Sequence, residues 1–473
     1  MYSPNFLKTT IKRKSPFIVL LVIAIFITSF YAGNFIFSGE AYAATKYWDG
    51  GGADNNWNTA ANWFPDGVPG MTDDIIFDDA YSVKDCTINA MAFVNSIDIQ
   101  SGYTGTITAN NLVYTSSTFS MADGAFNGGA QTIQFVGGFD LSGGTFTSTS
   151  TTYPTGLTVN NDFTISGGSF VHNSGGVAFS TGTGFDVDVN TSVTFYDLYI
   201  VTSGTQNINI ASDDTLITTG TLTLSNGQIM DGTIEAQGSY VHGVSWDGGT
   251  GIVHLTGTST RNITFSSGTM PGIHIDGPNT TLTVTGSSNR YFEGDVSISQ
   301  GTLNSSALTG ELKLKEDFTL SGGTYNAGPA TEMEGDWTYT SGTYTHNNGA
   351  VYMAYSIESD TDDHTISGNA TFYDLAVKNY TSSVGYVPTN IYFQAGATTT
   401  ILNDAVFEMV QHDPMLTTYR TTIASTSGGT AANIDFQGSA SFFNTAIQDI
   451  NVVGSAIDCN VRCVDNGGNT DID

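Results

Sequence analysis

The sequence predicts an all-β chain wound as an elongated β-solenoid with internal repeats of about 20 residues, and three observations carry that expectation. First, a long phrase occurs twice: residues 160–179 read NNDFTISGGSFVHNSGGVAF and residues 334–353 read EGDWTYTSGTYTHNNGAVYM. Second, shorter copies of its front half surround it at 139–146 (FDLSGGTF), 222–229 (LTLSNGQI), 296–303 (VSISQGTL) and 318–325 (FTLSGGTY). Third, only 12% of residues are charged while 12% are aromatic, with 55 glycines and no sustained 3.6-residue period. Thr, Ser, Tyr and Phe in that setting favour pleated surfaces and tight turns over helices.

Within each copy large apolar residues alternate with Thr, Ser or Asp, and a small pair such as Gly-Gly or Gln-Gly follows. A period of two closed by a turn that needs positive φ reads as strand, turn, strand. Neighbouring copies are 24 residues apart from Phe139 to Phe163, 22 from Val296 to Phe318 and 19 from Phe318 to Trp337. One repeat of that size cannot bury its own apolar face and stacks on the next. Phe163 and Trp337, like Phe170 and Tyr344, hold matching places in the two long phrases and are expected to stack inward as structural aromatics. TFYDL recurs at 194–198 and 371–375, 177 residues apart and close to the 174 between the phrases, so several coils were duplicated in tandem.

In chain order, residues 1–43 read as an export signal: Lys8, Lys12, Arg13 and Lys14, an apolar run over 17–30, then Ala41-Tyr42-Ala43 as a small-x-small cleavage site. The other reading is a retained anchor, the only expected route to a membrane. Residues 44–80 form a tryptophan-rich cap module holding Trp48, Trp57 and Trp63, three of the five tryptophans. Residues 81–385 are solenoid repeats, and 386–473, where Met409, His412, Met415 and Arg420 interrupt the pattern, are final coils and a C-terminal cap.

The opening phrase of the cap module (Tyr47-Trp48-Asp49-Gly50, Asn56-Trp57, Asn62-Trp63, Pro65, then Asp73 to Asp79) resembles that of bacterial autotransporter-associated β-strand proteins and related secreted right-handed parallel β-helix proteins. The following coils and residues 458–473 are similar to the same group. This resemblance implies an exported, surface-associated, right-handed parallel β-helix with no enzymatic residues to carry over. The chain departs in showing no C-terminal membrane β-barrel pattern, which removes support for self-transport.

Charge narrows the partners. The chain has 13 Lys+Arg against 44 Asp+Glu, net −31; without residues 1–43 (four basic, one acidic, +3) it is −34. Such a surface repels nucleic acid and anionic lipid and favours divalent cations. Asp465, Asp471 and Asp473, beside Gly467-Gly468, are the candidate calcium ligands, with Asp360, Asp362 and Asp363 a second cluster; turn formation in solvent is the other reading of both, and the favoured one. No other cofactor is expected. Three cysteines permit one intramolecular bridge, and Cys459 with Cys463 is the expected pair. His172 and His346 share a repeat position and read as stacking or turn residues.

No G-x-S-x-G, H-E-x-x-H or P-loop pattern occurs. The enzyme alternative is a polysaccharide lyase or glycosidase on a β-helix scaffold. A lyase acting on acidic glycans needs clustered cations, whereas the nine Lys and Arg after residue 43 are dispersed. The expected function is therefore non-enzymatic: a secreted or cell-surface protein, either an adhesin that contacts glycan or protein or a passive stalk. Exposed rings at Tyr196 and Tyr373, or at Tyr344 and Tyr352, separate the adhesin from the stalk.

Overall fold

A computed structural model describes residues 44–180, 182–204, 206–354, 362–378, 389–408, 420–454, 457 and 463–472. The expected export signal, Asp360, Met409, His412, Met415, Cys459 and Asp473 lie outside these. The described chain is 54% strand and 1% helix, stacked in about 16 turns of a parallel β-solenoid of right-handed type.

One coil shows how the sequence does this. Phe163–Ile165, Ser169–Val171 and Gly176–Phe179 are three strands separated by corners, and Phe185–Val189 opens the next coil with Val187 in parallel register on Phe163. Alternation turns Phe163 and Ile165 inward and Thr164 outward. The corner between the first two strands needs both its glycines. Gly168 has φ of 71°, and a Cβ on Gly167 would stand 2.4 Å from the Ser142 carbonyl of the coil before.

Because each strand lies on its counterpart one coil away, like side chains form columns. The rings of Phe139 and Phe163 are 4.9 Å apart, those of Phe146 and Phe170 5.8 Å, those of Phe318 and Trp337 4.5 Å and those of Tyr325 and Tyr344 5.6 Å. Phe163 and Trp337 are fully buried, and Phe170 and Tyr344 are partly buried against the same core. Such ring pairs contribute about 0.5–1.5 kcal/mol beyond the area they bury.

The N-terminal module closes the stack at one end. Thr45–Trp48 pairs in parallel with Asp74–Phe77 on one side, and its free edge is covered by Trp63–Phe64 running antiparallel. That pairing uses the backbone groups an open edge would present to another chain. Trp48, Trp57, Trp63 and Phe77 pack edge-on beneath it, and Trp63 Nε1 donates to the Trp57 carbonyl at 2.7 Å.

Toward the C-terminus the coils exceed the length expected from the repeats. The amide of Thr365 reaches back 29 residues to Asp336 and that of Thr422 reaches back 32 to Asn390, against 19 from Asp336 to Asp317. Residues added to a coil widen it without adding a rung. At ~4.8 Å per rung, about 16 turns make a stack of about 77 Å, shorter than the ~95 Å implied by uniform coils of ~22 residues.

The duplication is also out of phase with the three faces. Phe163–Ile165 lies in the 17-stranded sheet, whereas its counterpart Trp337–Tyr339 lies in the 13-stranded sheet that opens with Ser192–Phe195. Isolated bridges Asp247 to Thr269 and Met270 to Phe292 carry the first face on into the sheet of Arg290–Phe292. The second copy of each corner therefore sits one edge further round the three-sided solenoid.

Phe163→Asp should cost more than the ~3–5 kcal/mol typical of Phe→Ala, because it adds a buried unpaired carboxylate to a lost ring. Chemical or thermal unfolding of the variant checks this; a parental melting profile would mean that Phe163 does not face the core.

Candidate functional site

The two long phrases build the same exposed corner twice. After Ser169–Val171 the chain turns through His172, Asn173, Ser174 and Gly175, with the Gly175 amide donating to the His172 carbonyl at 3.1 Å. Asn173 and Ser174 have φ of 51° and 57°, a pair of left-handed residues that defines a type I′ turn. Asn173 tolerates that conformation, and its Nδ2 donates to the Ser148 carbonyl of the preceding coil at 3.1 Å. The Ser174 amide donates to His172 Nδ1 at 2.9 Å, so the neutral imidazole carries its proton on Nε2. The ring so fixed stacks on Tyr196, centroids 6.0 Å apart.

The second copy repeats each contact. Gly349 donates to the His346 carbonyl at 2.8 Å, Asn348 to His346 Nδ1 at 3.0 Å, Asn347 Nδ2 to the Ala327 carbonyl at 3.0 Å, and the His346 ring stacks on Tyr373 at 5.5 Å. TFYDL is explained residue by residue. Phe195 and Phe372, like Leu198 and Leu375, are fully buried; Tyr196 and Tyr373 turn outward; and the aspartate holds the next coil, Asp197 accepting the Thr221 amide and Asp374 the Asp404 amide. Tyr196 is 39% exposed and Tyr373 is partly exposed, whereas Tyr344 packs on the core.

A further pair belongs to the first copy alone. Tyr153, 38% exposed, stacks on Tyr199 at 5.2 Å, beside the strand Gly176–Phe179. Tyr199 lies in the strand Asp197–Val201, three residues past Tyr196, and Gly176 leaves the room these rings need, since a Cβ there would stand 3.0 Å from the Tyr199 ring. Sequence reasoning passed over this pair. The outward parity of Tyr199 in DLYIV was readable; the partner, brought in from a loop 46 residues earlier, was not.

Acidic side chains prove to be structural joints. Asp317 Oδ1 accepts the Asp336 amide at 2.8 Å, Asp295 Oδ1 accepts the Asp317 amide at 3.1 Å, and Asp336 Oδ1 accepts the Thr365 amide at 2.7 Å. The same joint recurs where Asp162 accepts the Asp186 amide, and in the opposite sense where Asp214 accepts the Val189 amide of the coil before it. At the terminal cluster, Asp465 Oδ1 accepts the Gly467 amide at 2.7 Å, and Asp471 takes a left-handed φ of 56°. Asp363 Oδ1 accepts from Asn390 Nδ2 at 2.7 Å. Among the described residues no group of three or more His, Cys, Asp and Glu is arranged to hold a metal ion. Cys86 is a buried free thiol whose acidity burial suppresses, and Cys463 is disulfide-bonded.

Basic residues are structural as well. Lys46 Nζ donates to the Pro65 carbonyl at 2.7 Å, Lys84 Nζ to Gly50 at 2.6 Å, buried Arg261 to the Ala236 and Gly238 carbonyls, and Arg290 to those of Thr285 and Asn289. Lys313 pairs with Glu332 at 2.6 Å and Lys315 with Glu334. Burial raises the Glu334 carboxyl above its usual range against the opposing pull of Lys315.

Comparison with family models, with curated proteins and with solved structures finds no match to this chain.

Asp317→Ala should destabilise by about 0.5–1.5 kcal/mol through loss of the solvent-exposed bond to the Asp336 amide, while Asp317→Asn, which keeps an acceptor oxygen, should cost far less. Paired unfolding curves decide between an amide acceptor and a mere surface charge. Glu334, whose folded acidity is weaker than its unfolded acidity, binds its proton more readily in the native state. Relative to Glu334→Gln, the parent should therefore gain stability as pH falls from neutrality toward 4.5, a sign that melts of both proteins across that range check.

Proposed function

We propose that the chain is a non-enzymatic exported β-solenoid of the bacterial surface, adhesin-like, which contacts a neutral glycan through the exposed rings at its duplicated corners. The observation that carries this is the His172–Tyr196 stack and its copy, His346–Tyr373. Held at the surface by this stacking, the tyrosine rings remain open to a ligand. Flat rings flanked by Asn and Thr suit a sugar, whose apolar C–H face packs on an aromatic while its hydroxyls take hydrogen bonds.

Charge supports a neutral ligand. A net charge of −34 after residue 43 disfavours nucleic acid, anionic lipid and acidic glycans, and the six cations described above are engaged within the fold. The same engagement weighs against a lyase. The export signal and the resemblance to autotransporter-associated and secreted β-helix proteins support a secreted or cell-surface location, with residues 1–43 as the one route to a membrane.

The test is glycan-array and whole-cell binding by the parent and by Tyr196→Ala/Tyr373→Ala. Loss of about tenfold in affinity, ~1.4 kcal/mol, with an unchanged melting temperature is expected. Equal binding by both proteins would remove the corners from the contact surface, and binding by neither would leave a passive stalk.

A further inference from the structure

Two histidines that the sequence separates by 20 residues are laid side by side by the coil register. His254, in Ile252–Leu255, and His274, in Gly272–Ile275, are directly paired on adjacent rungs of the 13-stranded sheet, both partly exposed on its outer surface. Their ring centroids are 5.8 Å apart, with planes inclined at 75°. Asp276 follows two residues after His274, and its Oδ2 lies 3.7 Å from His254 Nε2.

We propose that His254, His274 and Asp276 form a binding site for a borderline divalent transition-metal ion of the Zn2+ type. Two ligands bound tetrahedrally to one ion at ~2.0–2.1 Å stand about 3.4 Å from each other, so His254 Nε2 and Asp276 Oδ2 are already close to one edge of such a polyhedron. The three donors do not yet meet at one point, as the absence of a preformed group of three among the described residues shows. Rotation of the His274 side chain on its rung brings the third donor in. Two imidazoles and one carboxylate suit Zn2+, Ni2+ or Cu2+ rather than calcium, which takes oxygen ligands.

The surroundings are those of a ligand set. Asp276 Oδ1 accepts from the Ser299 hydroxyl and from Gln300 Nε2 at 3.1 Å, which fixes the carboxylate with Oδ2 toward the rings. One rung before His254 and in register with it stands Glu235, whose Oε1 accepts from Thr256 Oγ1 at 2.8 Å and Gln237 Nε2 at 2.9 Å. It or a water can supply the fourth ligand. The site is independent of the His–Tyr corners, so its success or failure leaves the adhesin reading untouched.

The experiment uses the full chain with Zn2+ as the calorimetric probe and Co2+ as the spectroscopic one, in millimolar calcium to occupy non-specific carboxylates. One equivalent of Zn2+ should bind. His254→Gln or His274→Gln should lower affinity at least tenfold and abolish the visible Co2+ absorption. Ser299→Ala, a positioning change, should lower affinity by about 10–100-fold. His172→Gln serves as the control and should change nothing, with circular dichroism verifying that each variant is folded. No saturable Zn2+ binding by the parent, or equal binding by the parent and His254→Gln/His274→Gln, overturns the assignment.

Discussion

Each coil of this protein shares its backbone hydrogen bonds with the coils on either side, and the corners are where the strand ladder stops doing so. A hydrogen bond to such an amide contributes about 0.5–1.5 kcal/mol net, and a three-sided coil offers the opportunity at each corner. The chain answers with side-chain oxygens placed one coil back. The run Asp295, Asp317, Asp336 carries three successive coils in this way, ending on the Thr365 amide, and Asn390 does the same for Thr422. The acidity that dominates the composition is thus partly a set of joints. It also explains why coil length can vary from 18 to 35 residues without breaking the stack: a corner needs only one acceptor at the right place.

Much of the fold was legible because the repeat fixes it. Alternation placed Phe163 and Trp337 inward, Gly167-Gly168 marked a corner, and the paired phrases announced the duplication. What escaped has a common cause: register across the coil is invisible along the chain. His254 and His274 look scattered until the coil is known to be 20 residues long at that point, and Tyr153 reaches Tyr199 only because a loop folds back over Gly176. The longer C-terminal coils were hidden for the same reason, since a widened coil leaves no repeat to measure. Of the tyrosines weighed as surface candidates, Tyr196 and Tyr373 face outward because the buried Phe before each and the corner Asp after it leave no inward place, while Tyr344 follows its strand parity into the core.

The fold and the proposed contact surface are built from the same pieces. Asn173 and Asn347 fix the turn that carries each histidine, and each histidine in turn fixes the plane on which a tyrosine lies. A ring held by three such constraints loses little side-chain freedom when a ligand arrives, which favours binding at a surface that buries little area. Six of the Lys and Arg residues, tied to carbonyls and glutamates, are spent on holding the fold together.

The phase slip between the duplicated blocks has a consequence for valency. Had the block been a whole number of coils, both corners would look the same way and one flat surface could engage them together, gaining avidity without a new contact. With the second copy moved one edge round a three-sided rod, the two corners lie on different edges of it, like cams keyed to one shaft. Under the proposed adhesin reading, a single flat surface would not engage both edges at once, and the two corners would serve separate partners, their spacing set by the number of rungs between the cams.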